Sequence, residues 1–110
     1  MSNEMKAIEM KIFGAHLREL REESRMTLKE VSKIIGIDIS LLAKIERSER
    51  QPTKEFIKKI AVLFKVDENE LIIEFLSDQI AYKILDEKAD LNILKVAENK
   101  VSYLKSINNE

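Results

Sequence analysis

The sequence predicts an all-α fold in which five helices form an N-terminal domain and a C-terminal helical segment follows. Three observations support this prediction. Glycine and proline are rare, with 2 Gly and 1 Pro in 110 residues, Leu, Ile, Lys and Glu are abundant, and apolar residues recur at intervals of three and four. A chain of this length forms one compact domain, or one small domain with an appendage. We predict a domain over residues 1–71 and a segment over residues 72–110.

The first two helices are predicted from apolar spacing and capping residues. Residues 5–24 have the spacing of an amphipathic helix, which we expect Gly14 to loosen. A second helix begins after Thr27, because Glu30 three residues later completes a capping box. Gly36 is expected to end this helix, which is therefore short.

The remaining helices follow at short intervals. Asp38 is expected to cap a third helix, so only three residues separate it from the second. Thr53, after the only proline, is expected to cap a fourth helix. A fifth helix is predicted from about Asn69, and a sixth follows residues 86–90. The sequence shows no internal repeat.

The composition excludes several kinds of chemistry. The chain has no cysteine, so neither a disulfide nor a thiolate metal site can form, and the single His16 excludes an imidazole cluster. His16 has no partner at a spacing typical of catalysis, and the acidic pairs Asp67 with Glu68 and Asp86 with Glu87 are interpreted as helix-end charges. No run of 18 apolar residues is present. We expect a cytoplasmic protein that is not an enzyme and binds no metal, cofactor or membrane.

The charges are distributed unevenly although the net charge is −1. Residues 11–66 carry 13 Lys and Arg against 8 acids, which gives a net charge of +5. Residues 67–110 carry 5 Lys against 10 acids, which gives −5. A basic surface attracts phosphate and an acidic one repels it. The two parts of the chain are therefore expected to have different functions.

Two short helices joined by a three-residue turn with a glycine form a helix-turn-helix arrangement. They are predicted in the basic part of the chain, in the stretch TLKEVSKIIGIDISLLAKIE. Together with FGAHLRELREE before it and FIKKIAVLFKVDENEL after it, this stretch resembles the Xre family, the phage repressor and Cro-like DNA-binding domains. The resemblance covers residues 13–71, with the motif core at 27–47. It implies a repressor-like five-helix domain and a sequence-specific DNA-binding transcriptional regulator.

The resemblance also assigns roles to individual residues. It places the third helix in the major groove, with base contacts from Ile39, Ser40, Ala43 and Lys44. It implies phosphate contacts from Thr27, Lys29, Arg47, Arg50 and Lys54. It implies a structural ion pair between Arg21 and Glu46. The core residues that it implies are Val31, Ile35, Ile37, Leu42, Ile45, Ile60 and Leu63.

Two positions depart from the family pattern. Leu28 stands where the family usually has a phosphate-binding glutamine early in the second helix, which removes one expected phosphate contact. Ser48 stands where the family usually has a glycine after the third helix. Ser48 or its neighbour must then adopt a conformation that glycine reaches at lower cost.

The C-terminal segment is predicted to join two copies of the chain. One helix-turn-helix recognises half a site, so the resemblance implies a homodimeric repressor on a palindromic double-stranded operator. The last two helices carry apolar stripes that are too long for a domain of this size to cover. The expected dimerisation residues are Ile80, Ile84, Leu94, Ala97, Val101 and Leu104. A monomer with an intramolecular hairpin is the alternative.

Other functions stay open at the level of sequence. The apolar side chains Ile39 and Leu41 also suit a protein-interaction module that keeps the helical fold. Within the DNA-binding class, the chain fits a prophage regulator, a restriction-modification controller, or an antitoxin with a toxin as its protein partner. Absence of binding to any DNA at low salt would favour the interaction module.

Overall fold

The computed structural model describes residues 11–108, and this range contains six helices. They are α1 (Phe13–Glu23), α2 (Leu28–Ile35), α3 (Ile39–Glu46), α4 (Lys54–Phe64), α5 (Glu68–Glu87) and α6 (Asn92–Ile107). No strand occurs among the residues described, so the predicted all-α class is confirmed for them. The predicted start of the first helix, at residue 5, lies outside this range.

The chain divides into two compact units, Met1–Asp78 and Gln79–Glu110. Helix α5 contributes residues to both. The first unit ends at Asp78 rather than at Leu71, where the sequence places a boundary, because Phe75 and Asp78 are buried in it. Only 6% of the surface of Phe75 and 8% of that of Asp78 are exposed.

The first unit encloses one apolar core, to which α1 to α5 all contribute. Its buried members are Phe13, Leu17, Val31, Ile35, Leu42, Ile45, Phe56, Ile57, Ile60, Ala61, Leu71 and Phe75. Five of the seven core residues that the resemblance implies are among them. The other two, Ile37 and Leu63, are half-buried and pack against this core.

Local capping residues set the ends of the short helices. The N–H of Glu30 donates to the Thr27 hydroxyl at 3.0 Å, and the Thr27 N–H donates to the Glu30 carboxylate at 2.8 Å. Gly36 ends α2 in the left-handed conformation, with a φ of 85°. The Thr53 hydroxyl accepts from the N–H of Phe56 at 3.0 Å. The predicted capping box, glycine stop and threonine cap are therefore all present.

Helix α1 is capped by a residue far away in the sequence. The side chain of Ile12, at its N-cap, has no polar atom, and the Phe13 N–H donates instead to Oδ2 of Asp78 at 2.8 Å. Burial raises the pKa of Asp78, and the hydrogen bond from Phe13 opposes that shift. A carboxylate on α5 thus satisfies a backbone donor that the first turn of α1 leaves free.

A second contact one turn away joins the same two helices. Nδ1 of His16 lies 2.8 Å from both carboxylate oxygens of Glu74, and both side chains are largely buried. Burial raises the pKa of Glu74, and the hydrogen bond with His16 opposes the shift. The sequence shows no partner for His16 at a spacing typical of catalysis, and the carboxylate that it contacts is 58 residues away in the sequence. The role of this contact is to hold α5 against α1.

In the second unit, Gln79–Glu110, none of the residues described is buried. Every residue of α6 is exposed, and its Ile, Leu and Val side chains have between 43% and 56% of their surface accessible. Its five lysines balance its five acids, so its net charge is zero. The net charge of −5 on residues 67–110 therefore comes from the five acids of residues 67–78, which belong to the first unit.

Among the residues described, no helix is both long enough and apolar enough to cross a bilayer.

We predict that Asp78→Ala lowers the free energy of unfolding by about 1–3 kcal/mol, because it leaves the Phe13 N–H buried without an acceptor. Asp78→Asn should cost much less, since an amide oxygen still accepts the bond and carries no charge to desolvate. Urea unfolding measures both changes. The control is Asp86→Ala, which removes an exposed carboxylate from the same helix. Equal losses for the Ala and Asn variants would contradict the capping role.

Candidate nucleic-acid interface

The angle between α2 and α3 is set by a turn of three residues. The N–H groups of Gly36 and Ile37 both donate to the carbonyl oxygen of Ser32, at 2.8 and 3.1 Å. This pair of bonds closes the end of α2 while the chain reverses through the left-handed Gly36. Helix α3 then begins at Ile39. The two helices and their turn form the helix-turn-helix that the sequence predicts.

Gly14 allows α1 to approach the end of α3 closely. A Cβ atom at Gly14 would lie 2.5 Å from the carbonyl oxygen of Ile45 and 2.7 Å from that of Glu46. Both neighbours are backbone atoms, which cannot move away as a flexible side chain can. Gly14 is helical and does not loosen α1, so that expectation is wrong. The residue is small because two backbones meet there.

Arg21 connects α1 to the end of α3 and to the loop before α2. Its Nε donates to Oε2 of Glu46 at 2.6 Å and its Nη2 donates to Oε1 at 3.0 Å. Its Nη1 donates to the carbonyl oxygen of Met26 at 3.0 Å. The two charged side chains are only 12% and 5% exposed, and the hydrogen bond to Glu46 raises the pKa of Arg21 further. This bidentate pair fixes the orientation of α3.

The residues expected to contact bases lie on one side of α3, from its first residue Ile39 to Lys44 in its last turn. Ser40 and Lys44 are exposed, Ile39 has 44% of its surface accessible, and Ala43 is half-buried. Leu42 and Ile45 are buried in the core. We call the first set, Ile39, Ser40, Ala43 and Lys44, the reading face. The reading face thus offers the hydroxyl of Ser40 and the ammonium of Lys44, about one helical turn apart.

The cap of α3 differs from the expectation. Asp38 occupies the N-cap position, but its side chain makes no hydrogen bond to the backbone of the helix. Its carboxylate accepts instead from the hydroxyl of Ser40. The Asp38 carboxylate therefore lies next to the reading face.

The residues expected to contact phosphate are all exposed and lie at or near helix termini. Thr27 and Lys29 are at the start of α2, and Lys54 is the first residue of α4. The first N–H groups of a helix and its dipole both favour an anion. Arg47 and Arg50 are in the loop after α3. Among the residues described, Arg50 forms no ion pair, whereas Arg47 pairs with Glu49.

Arg47 already pairs with the carboxylate of a neighbouring residue. Its Nε and Nη2 donate to the two oxygens of Glu49 at 2.9 and 3.1 Å, and the hydrogen bond raises its pKa. Both side chains are 54% exposed, so solvent competes with the pair. A phosphate would have to displace Glu49 or bind beside it. The sequence gives no sign of this pairing, because Arg and Glu two residues apart are common in loops.

The two departures from the family pattern have visible consequences. Ser48 adopts the left-handed conformation, with a φ of 62°, as the missing glycine predicts. Leu28 is half-buried and packs against the core. Leu41 also packs against the core, which removes half of the apolar pair that suits a protein-interaction module. Among residues 11–108, no three His, Cys, Asp or Glu residues cluster as metal ligands would.

Comparison with known proteins gives a consistent set of relatives. A family model described as helix-turn-helix matches residues 17–71. The HTH-type transcriptional regulator DdrOP3 of Deinococcus deserti is 31% identical over 77 residues, which are 68% of this chain and 60% of that protein. RghRB of Bacillus subtilis, an uncharacterized HTH-type transcriptional regulator, is 38% identical over 58 residues, 52% of this chain and 42% of RghRB. The chain thus spans less than two thirds of either relative.

A shorter relative and two solved structures match over more of their length. YazB of Bacillus subtilis, also an uncharacterized HTH-type transcriptional regulator, is 31% identical over 64 residues, 58% of this chain and 93% of YazB. The clp gene regulator ClgR from Corynebacterium glutamicum has a TM-score of 0.53 at 16% identity, covering 91% of this chain and 93% of that one. A chain of the SinR/SinI protein complex has a TM-score of 0.52 at 19% identity, covering 86% and 99%. These two likenesses concern the fold.

We predict that Gly14→Ala destabilises the first unit by about 1–3 kcal/mol and displaces α3, because the added methyl group meets backbone atoms. Gly36→Ala is the matched control. It costs about 1–2 kcal/mol for the left-handed backbone, but nothing lies within 4 Å of its Cβ position. Urea unfolding and the chemical shifts of α3 amides distinguish the two variants. Unchanged α3 shifts in Gly14→Ala would contradict the close approach.

Proposed function

The chain belongs to the Xre-like helix-turn-helix family of transcriptional regulators, and on that premise we propose that it is a homodimeric repressor of a palindromic operator. In this proposal α3 lies in the major groove and the reading face contacts base edges. The protein represses by occupying the operator, without catalysis, and it acts in the cytoplasm.

One observation supports the proposal above the others. One side of α3, with Ile39, Ser40 and Lys44, is exposed, while the end of the helix is fixed to α1 by Gly14 and by the buried pair of Arg21 with Glu46. A helix that is held at its end and accessible along one side suits insertion into a groove, because the exposed side chains keep a fixed orientation. The net charge of +5 on residues 11–66 suits the phosphates on either side of that groove.

In our proposal the reading face divides its contacts by chemistry. Lys44 donates to the O6 and N7 atoms of guanine, while Ile39 and Ala43 lie against thymine methyl groups, and Ser40 contacts a neighbouring base edge. Phosphate contacts come from Thr27, Lys29, Arg47, Arg50 and Lys54. Of these five, Arg47 contributes least, since a phosphate competes with Glu49 for its guanidinium.

We predict that Lys44→Ala weakens operator binding by about 1–3 kcal/mol and relaxes the preference at one or two base pairs. Arg50→Ala should weaken binding to every sequence alike and make the dependence of log K on log salt shallower by about one unit. Selection from a random DNA pool, followed by titrations at several salt concentrations, measures both effects. Lys105→Ala removes an equal charge from α6 and serves as the control. Uniform loss in both site variants would show that Lys44 reads no base.

Dimerisation is proposed to occur through the second unit. Leu94, Val101 and Leu104 are 45%, 51% and 51% exposed, Ala97 is exposed as well, and the four recur at intervals of three and four. We call them the dimer seam, to which Ile80 and Ile84 of α5 add. Exposed stripes of this kind pack against a second helix. Since the unit has no net charge, two copies meet without repulsion.

A protein partner is a further part of the proposal. A chain of similar fold occurs in the SinR/SinI protein complex, where a second protein is present. Among the residues described, exposed large apolar residues occur in both units, but ten of the sixteen lie in the second unit, seven of them on α6. We therefore place any protein partner, an antagonist or a toxin, on the second unit.

We predict that the full-length protein is a dimer and that Val101→Asp makes it a monomer, because an ionised carboxylate in the dimer seam must be desolvated. Light scattering measures the mass. Affinity for a palindromic operator should fall by about 10² or more, because bivalent binding is lost. Ser102→Asp adds the same charge beside the seam and is the control. A monomeric wild-type protein would instead favour an intramolecular hairpin.

A further inference from the structure

The hydroxyl of Ser40 already uses its donor at the start of α3. It donates its one hydrogen to Oδ2 of Asp38, the residue before the helix. A hydroxyl has a single hydrogen and two lone pairs, so Ser40 in this state only accepts further hydrogen bonds. An ionised carboxylate likewise only accepts. Both side chains are exposed, and we call Asp38 and Ser40 the acceptor pair.

The carboxylate of Asp38 is not neutralised within the part of the chain that the structure describes. It makes no hydrogen bond to the backbone of α3. None of the ion pairs found among residues 11–108 includes it. When α3 enters a groove between two rows of phosphates, such a carboxylate is repelled unless a donor lies opposite it. Binding of this surface to DNA is therefore favoured where the DNA itself offers a donor next to Asp38.

In the major groove, only the amino groups of the bases are donors. They are N4 of cytosine and N6 of adenine, whereas guanine and thymine present the keto oxygens O6 and O4. Every base pair thus has one base with an amino group and one with a keto oxygen. Acceptors held beside one strand distinguish the two orientations of a base pair. They bind adenine or cytosine on that strand, and they reject guanine or thymine because acceptor then faces acceptor.

Lys44 has the opposite hydrogen-bonding chemistry. Its ammonium group has three donors and no acceptor. It lies four residues after Ser40, which is about 6 Å along the helix axis. Successive bases of a strand are about 3.4 Å apart, so Lys44 and the acceptor pair reach different base pairs. The exposed side of α3 therefore changes from acceptors to a donor along its length.

We propose, on the basis of the operator binding proposed above, that the acceptor pair selects adenine or cytosine at one strand position of each half-site. Asp38 and Ser40 accept from the amino group of that base, and the hydrogen bond between them holds the carboxylate beside α3. Asp38 thus joins the residues that determine the operator sequence, although its charge opposes binding to the phosphates.

Selection from a random duplex pool with the full-length wild-type protein tests the proposal. One position of each half-site should favour adenine or cytosine over guanine or thymine by about tenfold. Asp38→Asn should reduce this preference to about twofold or less, because an amide both donates and accepts. Asparagine is also a good N-cap residue, so α3 stays folded. Asp86→Asn makes the same change at an exposed carboxylate of α5 and is the control.

Three further measurements assign the effect to the acceptor pair. Ser40→Ala should weaken the same preference, since Asp38 then loses the hydrogen bond that holds its carboxylate. Lys44→Ala should relax a different position and leave the preference for adenine or cytosine unchanged. Asp38→Asn should bind a duplex of random sequence at least as tightly as the wild type, because a charge that repels phosphate is removed.

Failure of operator binding and failure of base selection give different results. A wild-type protein that selects no sequence overturns both the proposed function and the role of the acceptor pair. A selected sequence that Asp38→Asn leaves unchanged overturns only the acceptor pair, as does guanine or thymine at the position that this variant relaxes. Weaker binding of the random duplex by Asp38→Asn, or an equal change of preference in Asp86→Asn, also overturns it.

Discussion

Helix α1 meets the last turn of α3 backbone against backbone, and the position of the reading face depends on that contact. Gly14 brings the helices close enough for the carbonyl oxygens of Ile45 and Glu46 to occupy the space of a side chain. Arg21 then binds Glu46 through two hydrogen bonds and the loop before α2 through a third. One side chain therefore links three segments, and its charge is compensated where it is buried. The reading face, from Ile39 to Lys44, inherits its orientation from these contacts at the end of α3.

Much of the fold follows from residues that act within one helical turn. Thr27 and Glu30 cap each other, Thr53 caps α4, and Gly36 ends α2, and each of these can be predicted because both partners lie close in the sequence. The recurrence of apolar residues at intervals of three and four likewise predicts the core. The family resemblance implies a left-handed residue at Ser48 or its neighbour, and Ser48 has that conformation.

Contacts between distant residues could not be predicted in the same way. Asp78 caps α1 from 65 residues away, and His16 meets Glu74 from 58, so no local pattern signals either contact. Gly14 has two opposite interpretations, a weak point in a helix or a close approach, and only the position of α3 decides between them. Beside the reading face, the side chain of the N-cap residue Asp38 does not bind the backbone of α3 as the local rule predicts, because the Ser40 hydroxyl competes with the backbone N–H groups as a donor.

The distribution of charge has a consequence for how the protein finds its site. The carboxylates of residues 67–78 offset the net positive charge of residues 11–66, so residues 11–78 are neutral as a whole. Beyond a screening length of about 8 Å at physiological salt, such a unit exerts little pull on a distant duplex. Encounters with random sequence are then brief, and sliding along it is short. In the function proposed above, the time spent on an operator then depends on the close contacts of α3 rather than on a reservoir of protein held nearby on the chromosome.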